Sequence, residues 1–142
     1  MKYGGMILEK KEYLTLKRIL NFHKHYEDYA HKDALERLKE SIDDALVKDE
    51  EEVPSDVVRL YSRVTLSSEE GGSRILRLVP PSEENTMGKR ISVISTLGAN
   101  LIGLAAGDTL QMEIPSDTKS LKITKVEKPH QRLSDSFSGL DF

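Results

Sequence analysis

Between residues 23 and 36 the chain gathers seven side chains that could hold a cation. Glu27, Asp28, Asp33 and Glu36 supply carboxylates, and His23, His25 and His31 supply imidazoles. Hard carboxylate oxygens suit Mg²⁺, which keeps several waters and is commonly shared with phosphates. Asp33-Ala34-Leu35-Glu36 sets two of these acids at a spacing that one helix face can present. The same spacing also has a structural reading. Asp33 followed by Glu36 is close to a capping box at a helix start, where the dipole favours acids in any case. A three-histidine zinc site fails on geometry, because residues two apart on a helix diverge by about 200°. His23 and His25 cannot both face one ion, so no resident metal and no cofactor are expected. The chain contains no cysteine, which removes thiolate chemistry and disulfides. No nucleophile–histidine–acid set appears, and Gly4-Gly5 and Gly71-Gly72 match no phosphate loop.

The acids sit where two helical stripes meet. Leu16, Ile19, Leu20 and His23 recur at spacings of three and four, as do Leu35, Leu38, Ile42 and Ala45. Lys39, Glu40, Asp43 and Asp44 fall on the opposite, wet side of the second stripe. Two such stripes joined by a polar stretch close as an antiparallel helical hairpin. Limbs of about 16–18 residues would be roughly 25 Å long, with Glu27, Asp28, Asp33 and Glu36 at the tip. The run Asp49-Glu50-Glu51-Glu52 breaks the stripe, and Pro54 pushes its neighbour out of helix.

After Pro54 the period changes from 3.6 to 2. Arg63–Leu66 and Arg74–Val79 flank Glu69-Glu70-Gly71-Gly72, which reads as a hairpin ended by Pro80-Pro81. Ile91–Ile94, Thr109–Ile114 and Leu121–Val126 supply further strands, with a turn at Pro115-Ser116-Asp117 between the last two. Between the Ile91 and Thr109 strands lies one short helix. Ser95 or Thr96 can cap it, Gly103 suits the left-handed residue that stops it, and Gly107-Asp108 forms the next turn. Four or five mostly antiparallel strands around one helix make an α+β fold. The expected divisions are residues 1–52 for the helical hairpin, 53–128 for the sheet domain and 129–142 for a disordered tail.

Net charge is −3 with 32% charged residues, which disfavours non-specific binding to phosphate backbones, so no direct or sequence-specific nucleic-acid partner is expected. No apolar run approaches the roughly 20 residues of a membrane span, and the start lacks a signal peptide's apolar centre. A cytoplasmic protein without membrane contact is the expectation.

The run Ile91-Ser92-Val93-Ile94-Ser95-Thr96-Leu97-Gly98-Ala99-Asn100-Leu101-Ile102-Gly103-Leu104-Ala105-Ala106-Gly107-Asp108 resembles the C-terminal signature of the GreA/GreB transcription factors. Val53–Val58 and Tyr61–Val64 have the same flavour, and the resemblance is closest to the short Rnk branch. It covers residues 53–128 well and the N-terminal part in outline. It implies an FKBP-like antiparallel sheet domain, and RNA polymerase as partner through the coiled coil at the rim of its secondary channel. Ser95, Thr96, Leu97 and Asn100 would then be polymerase-binding residues, with Thr96 standing where the family usually has proline. In the family, acids at the tip of a longer hairpin help hold a catalytic Mg²⁺ of the polymerase. The resemblance therefore implies a regulator without catalysis of its own, which competes with Gre factors but does not promote RNA cleavage. The alternative is a Gre-type factor that stimulates transcript cleavage. A peptidyl-prolyl isomerase of FKBP type is a minor alternative, since aromatics are only 6% and there is no Trp to line a proline pocket. Fold alone does not warrant that activity.

Overall fold

The computed structural model describes residues 2–22, 32–85, 89–114 and 117–128. Along the chain these form β1 (Ile7–Glu9), α1 (Lys10–Phe22), α2 (Lys32–Asp43) and β2 (Leu46–Lys48). Then follow β3 (Arg63–Ser68), β4 (Ser73–Val79), β5 (Arg90–Ser92), α3 (Thr96–Leu101), β6 (Thr109–Ile114) and β7 (Asp117–Glu127). Single 3₁₀ turns occupy Glu50–Glu52 and Pro81–Glu83.

The main sheet has the order β5-β4-β3-β7-β6. All its pairs are antiparallel except β4 with β5, which run parallel. The β3–β4 hairpin turns at the expected Glu69-Glu70-Gly71-Gly72, with Gly71 at a φ of 97°. A bulge between Thr65 and Leu66 interrupts β3 against β7, where Thr65 faces Lys125 but Leu66 faces Ile123. It keeps Leu66 and Ile123 both on the buried side, which a strict period of 2 would not.

Two expectations are corrected. Residues 91–94 do not form one strand: β5 ends at Ser92, and Val93 and Ile94 turn away. The cause is local side-chain competition for backbone donors. Ser92 Oγ accepts from the Ile94 N–H, and the Ser92 carbonyl accepts from both the N–H and the hydroxyl of Ser95. The N-terminal half is not wholly helical either. β1 and β2 form a separate parallel pair, in which Ile7 faces Leu46 and Glu9 faces Lys48. The Leu46 N–H donates to the Met6 carbonyl at 2.9 Å, so a long-range partner overrides the helical pattern there.

The expected helical stripes hold where they are described. Leu16, Leu38 and Ile42 are buried, Ile19, Leu20 and Ala45 pack partly against them, and Lys39, Glu40, Asp43 and Asp44 are exposed. α1 and α2 contact one another, and α1 carries 13 residues against 12 for α2. Exposed ion pairs link Lys10 to Asp49 (3.4 Å) and Lys17 to Asp43 (3.8 Å), so positions advancing along α1 meet positions retreating along the following chain. One core cluster joins Leu8, Leu16, Leu38 and Ile42 to Leu60, Leu78, Leu101 and Ile123. Full burial of each such side chain is worth about 1.5–3 kcal/mol. Among the described residues no helix is long and apolar enough to cross a membrane.

Candidate functional site

The turn from β5 into α3 is built from backbone donors and two serines. Ser95 is the N-cap: its hydroxyl oxygen accepts from the Gly98 N–H at 3.0 Å while its O–H donates to the Ser92 carbonyl at 2.7 Å. One side chain thus ties the helix start to the strand end, and Ser95 rather than Thr96 does the capping. Asn100 Nδ2 donates to the Thr96 carbonyl at 2.9 Å, one turn below. Gly103 stops the helix at a φ of 82°, and its N–H donates to the Val58 carbonyl at 3.0 Å. A left-handed glycine at that place releases the chain toward Val58 instead of continuing the helix.

Gly98 is the tightest point of this corner. A methyl group on its Cα would lie 2.0 Å from the Ser92 carbonyl oxygen and 2.9 Å from Val93 Cα. Only a residue without a side chain lets α3 lie this close to the end of β5. Its backbone φ is ordinary, so no conformational signal marks it in the sequence. The clue available there was its place three residues after the cap.

The four candidate contact residues are brought together on this corner but are not equivalent. Thr96 is exposed, whereas Ser95, Leu97 and Asn100 are half-buried. Leu97 packs partly against the core, and together with Leu66 and Leu121 it floors an open groove of about 350 Å³. Ser73 and Arg74 stand at the groove's edge, next to the hairpin glycine Gly72. Leu101 and Ile102 are fully buried and do not reach this surface. α3 also contacts α2, so the corner lies beside the helical arm.

A second cluster, which sequence reasoning did not find, fixes the arm to the sheet. Glu12 on α1 is 1% exposed, and three donors converge on its carboxylate. The Leu60 N–H donates at 2.7 Å, Arg59 Nε at 3.1 Å and the Glu9 N–H at 3.4 Å. The Arg59 guanidinium also lies 3.8 Å from Glu9 and 3.6 Å from Glu50. Burial pushes the Glu12 carboxyl above its ordinary value, and Arg59 and the Leu60 N–H pull it part of the way back. Residues 12 and 59 stand 47 apart, and no local pattern links them.

Beside it, Tyr61 holds a φ of 71° although it is not glycine, a strain of about 1–3 kcal/mol. Its N–H donates to the Leu78 carbonyl, its carbonyl accepts from Arg77 Nη1 at 2.8 Å, and its hydroxyl meets Glu83. These three ties pin the residue in that conformation.

The candidate acids are only partly within view. Glu27, Asp28 and all three histidines between 23 and 31 lie outside the described residues, as do residues 129–142 and Pro115-Ser116 of the expected turn. Asp33 lies in α2, which is described from Lys32. Glu36 is exposed one turn further on. Among the described residues no group of three or more His, Asp or Glu side chains could hold a metal ion.

A sheet flanked by one short capped helix, with two helices packed at its side, defines a class of protein on which the comparisons agree. The family described as "Transcription elongation factor, GreA/GreB, C-term" matches residues 53–128, and the chain belongs to the GreA/GreB family. Within it, the chain is similar to the "Regulator of nucleoside diphosphate kinase" of Escherichia coli K12, at 30% identity over 75% of this chain and 80% of that protein. It is also similar to the transcription elongation factor GreA of Christiangramia forsetii, at 28% identity over 65% of this chain. The match spans 59% of that GreA's length. Among solved structures, a GreA/GreB elongation factor from Nitrosomonas europaea superposes with a TM-score of 0.76 at 26% identity. That match covers 87% of this chain and 99% of the other.

Proposed function

We propose that this chain is a transcription regulator of the Rnk type that binds RNA polymerase at the rim of its secondary channel. In this reading the helices α1 and α2 within residues 1–52 form an antiparallel helical hairpin, and residues 53–128 an FKBP-like domain. Docking falls to the sheet domain through Ser95, Thr96, Leu97 and Asn100, with Leu97 as the apolar contact. The hairpin occupies the channel mouth, and the protein works in the cytoplasm as a competitor of Gre factors, without promoting RNA cleavage.

The length of the arm carries this reading. A helical hairpin made from everything between Lys10 and Asp43 has limbs of about 17 residues, hence about 25 Å. Acids at such a tip stop ten or more ångströms short of where a longer hairpin of the same design would place them, and a metal ligand must lie within about 2.1 Å of Mg²⁺. The 30% identity to the E. coli regulator over 80% of that protein's length supports the same branch.

The test is a stalled, backtracked polymerase complex. The protein alone should not stimulate RNA cleavage, and in excess it should inhibit cleavage stimulated by GreA. Asp33→Ala and Glu36→Ala should leave that inhibition unchanged. Robust cleavage by the wild type, lost in either alanine variant, would instead establish a Gre-type factor whose tip reaches the metal.

A further inference from the structure

A row of cations crosses the sheet. Arg63 on β3 lies directly opposite Arg77 on β4, and Arg77 directly opposite Arg90 on β5. Residues directly opposite on neighbouring strands project from the same face about 5 Å apart, and like charges there repel. With Lys89, Asn85 and the exposed Ile75, these arginines line a groove of about 520 Å³. One carboxylate completes the row: Glu127 on β7 faces Arg63, 3.9 Å from its Nε. The acids on the connection between β4 and β5 are engaged elsewhere, Glu83 by the Tyr61 hydroxyl and Glu84 by the Ser92 N–H. The groove therefore sets four cations against one carboxylate, in a chain whose net charge is −3.

The middle arginine is also aimed. Arg77 Nη1 is held by the carbonyl of Tyr61, the residue strained into the left-handed region. One guanidinium edge is thereby used for positioning, and the remaining donors are left for the groove. Three like charges in register, the central one held at one edge by the Tyr61 carbonyl, oppose folding and point to a ligand that reverses the repulsion.

We propose that this groove binds a compact oligophosphate, two or more adjoining phosphate groups, either free or as the tail of a nucleoside di- or triphosphate. Guanidinium forks match phosphate oxygens in pairs, and Lys89 adds a mobile point charge. Three adjacent strands span only about 10 Å. An oligophosphate concentrates three or four negative charges within that length, whereas an acidic peptide spreads the same charge along several residues. The groove's volume is that of a small-molecule site. A single-stranded nucleic acid is disfavoured, because none of the lining side chains is an aromatic stacking platform.

Full-length protein titrated with tripolyphosphate at low salt tests this, by thermal melting and by amide NMR shifts. The melting temperature should rise, and the amides of Arg63, Arg77, Lys89 and Arg90 should move. The exposed pair Lys89→Gln and Arg90→Gln should leave the ligand-free melting temperature unchanged or higher and weaken tripolyphosphate binding at least about tenfold. ATP binding without AMP binding identifies the nucleotide tail as the source, and tripolyphosphate binding without ATP binding identifies the free anion. Three results would overturn the proposal: no response at millimolar tripolyphosphate, full affinity in the double variant, or a variant that is destabilised without ligand. Tighter binding of a polyglutamate peptide or a 12-mer RNA at these amides would overturn it as well.

Discussion

Gly98→Ala puts the geometry of the corner to a quantitative test, because two ordinary rules give opposite signs there. Alanine is favoured over glycine inside a helix by about 1 kcal/mol, and Gly98 sits in α3 with an ordinary backbone. On propensity alone the variant should be more stable. The added methyl, however, would lie 2.0 Å from the Ser92 carbonyl oxygen and 2.9 Å from both the Ser92 carbonyl carbon and Val93 Cα. All three are backbone atoms, so no side chain can swing aside. Relieving the contact means moving α3 off β5 by more than about 1 Å, and overpacking of this kind costs about 1–3 kcal/mol. The shift also stretches the 3.0 Å bond from the Gly98 N–H to Ser95 Oγ, and losing a cap costs about 1 kcal/mol more. Against the gain of about 1 kcal/mol, the expected net loss is about 1–3 kcal/mol. Urea unfolding should show the midpoint falling with the slope unchanged. Gly72→Ala is the control, since nothing lies within 4 Å of its added methyl and its φ is ordinary, and it should be neutral or slightly stabilising. A Gly98→Ala protein as stable as the wild type would show that α3 does not rest on Ser92 in this way.

Three further outcomes follow from other parts of the molecule. Glu12→Ala should cost about 2 kcal/mol in the same assay, because it strips the buried Leu60 N–H of its acceptor while Arg59 keeps Glu9 and Glu50; a change within 0.5 kcal/mol would remove the cluster as the joint of the arm. Burial pushes the Asp56 carboxyl up, but hydrogen bonds from Lys2 and Tyr3 outweigh it and hold it below its ordinary 3.8. Its stabilisation is therefore present above pH 3.8 and lost as the pH falls through the lower folded value, so Asp56→Asn should be slightly less stable than the wild type at pH 6 and equal to it under acid. Leu97→Asp, shown by circular dichroism to be folded, should bind core RNA polymerase roughly thirtyfold more weakly, and full-strength binding would take the corner out of the interface.

Much of the fold was legible before any coordinates, because it rests on local rules. The stripes of Leu16, Leu38 and Ile42 announced helices, and the alternation through Thr109–Ile114 placed β6. The pattern around Glu69–Gly72 announced a hairpin, and Ser95 and Gly103 marked both ends of α3. Each is a residue answering to its own neighbours, through periodicity, a cap or a left-handed glycine.

What stayed hidden depends on partners far along the chain. β1 and β2 are three residues each, too short for any period, and they exist because Met6 and Leu46 meet. The end of β5 at Ser92 follows from where Ser95 and Gly98 must sit on it, and the β3 bulge from the need to keep Leu66 and Ile123 inside. Glu12 and Arg59 are two unremarkable charges until folding brings them to 3.1 Å, and Arg63, Arg77 and Arg90 are scattered until strand register sets them in one row. Residue types and local spacing alone determined most of the element types and the stop of α3, and the run from Ile91 to Asp108 carried the resemblance to the family. Tertiary structure decided which distant charges became neighbours, because register and burial are properties of the assembled sheet and not of any segment of it.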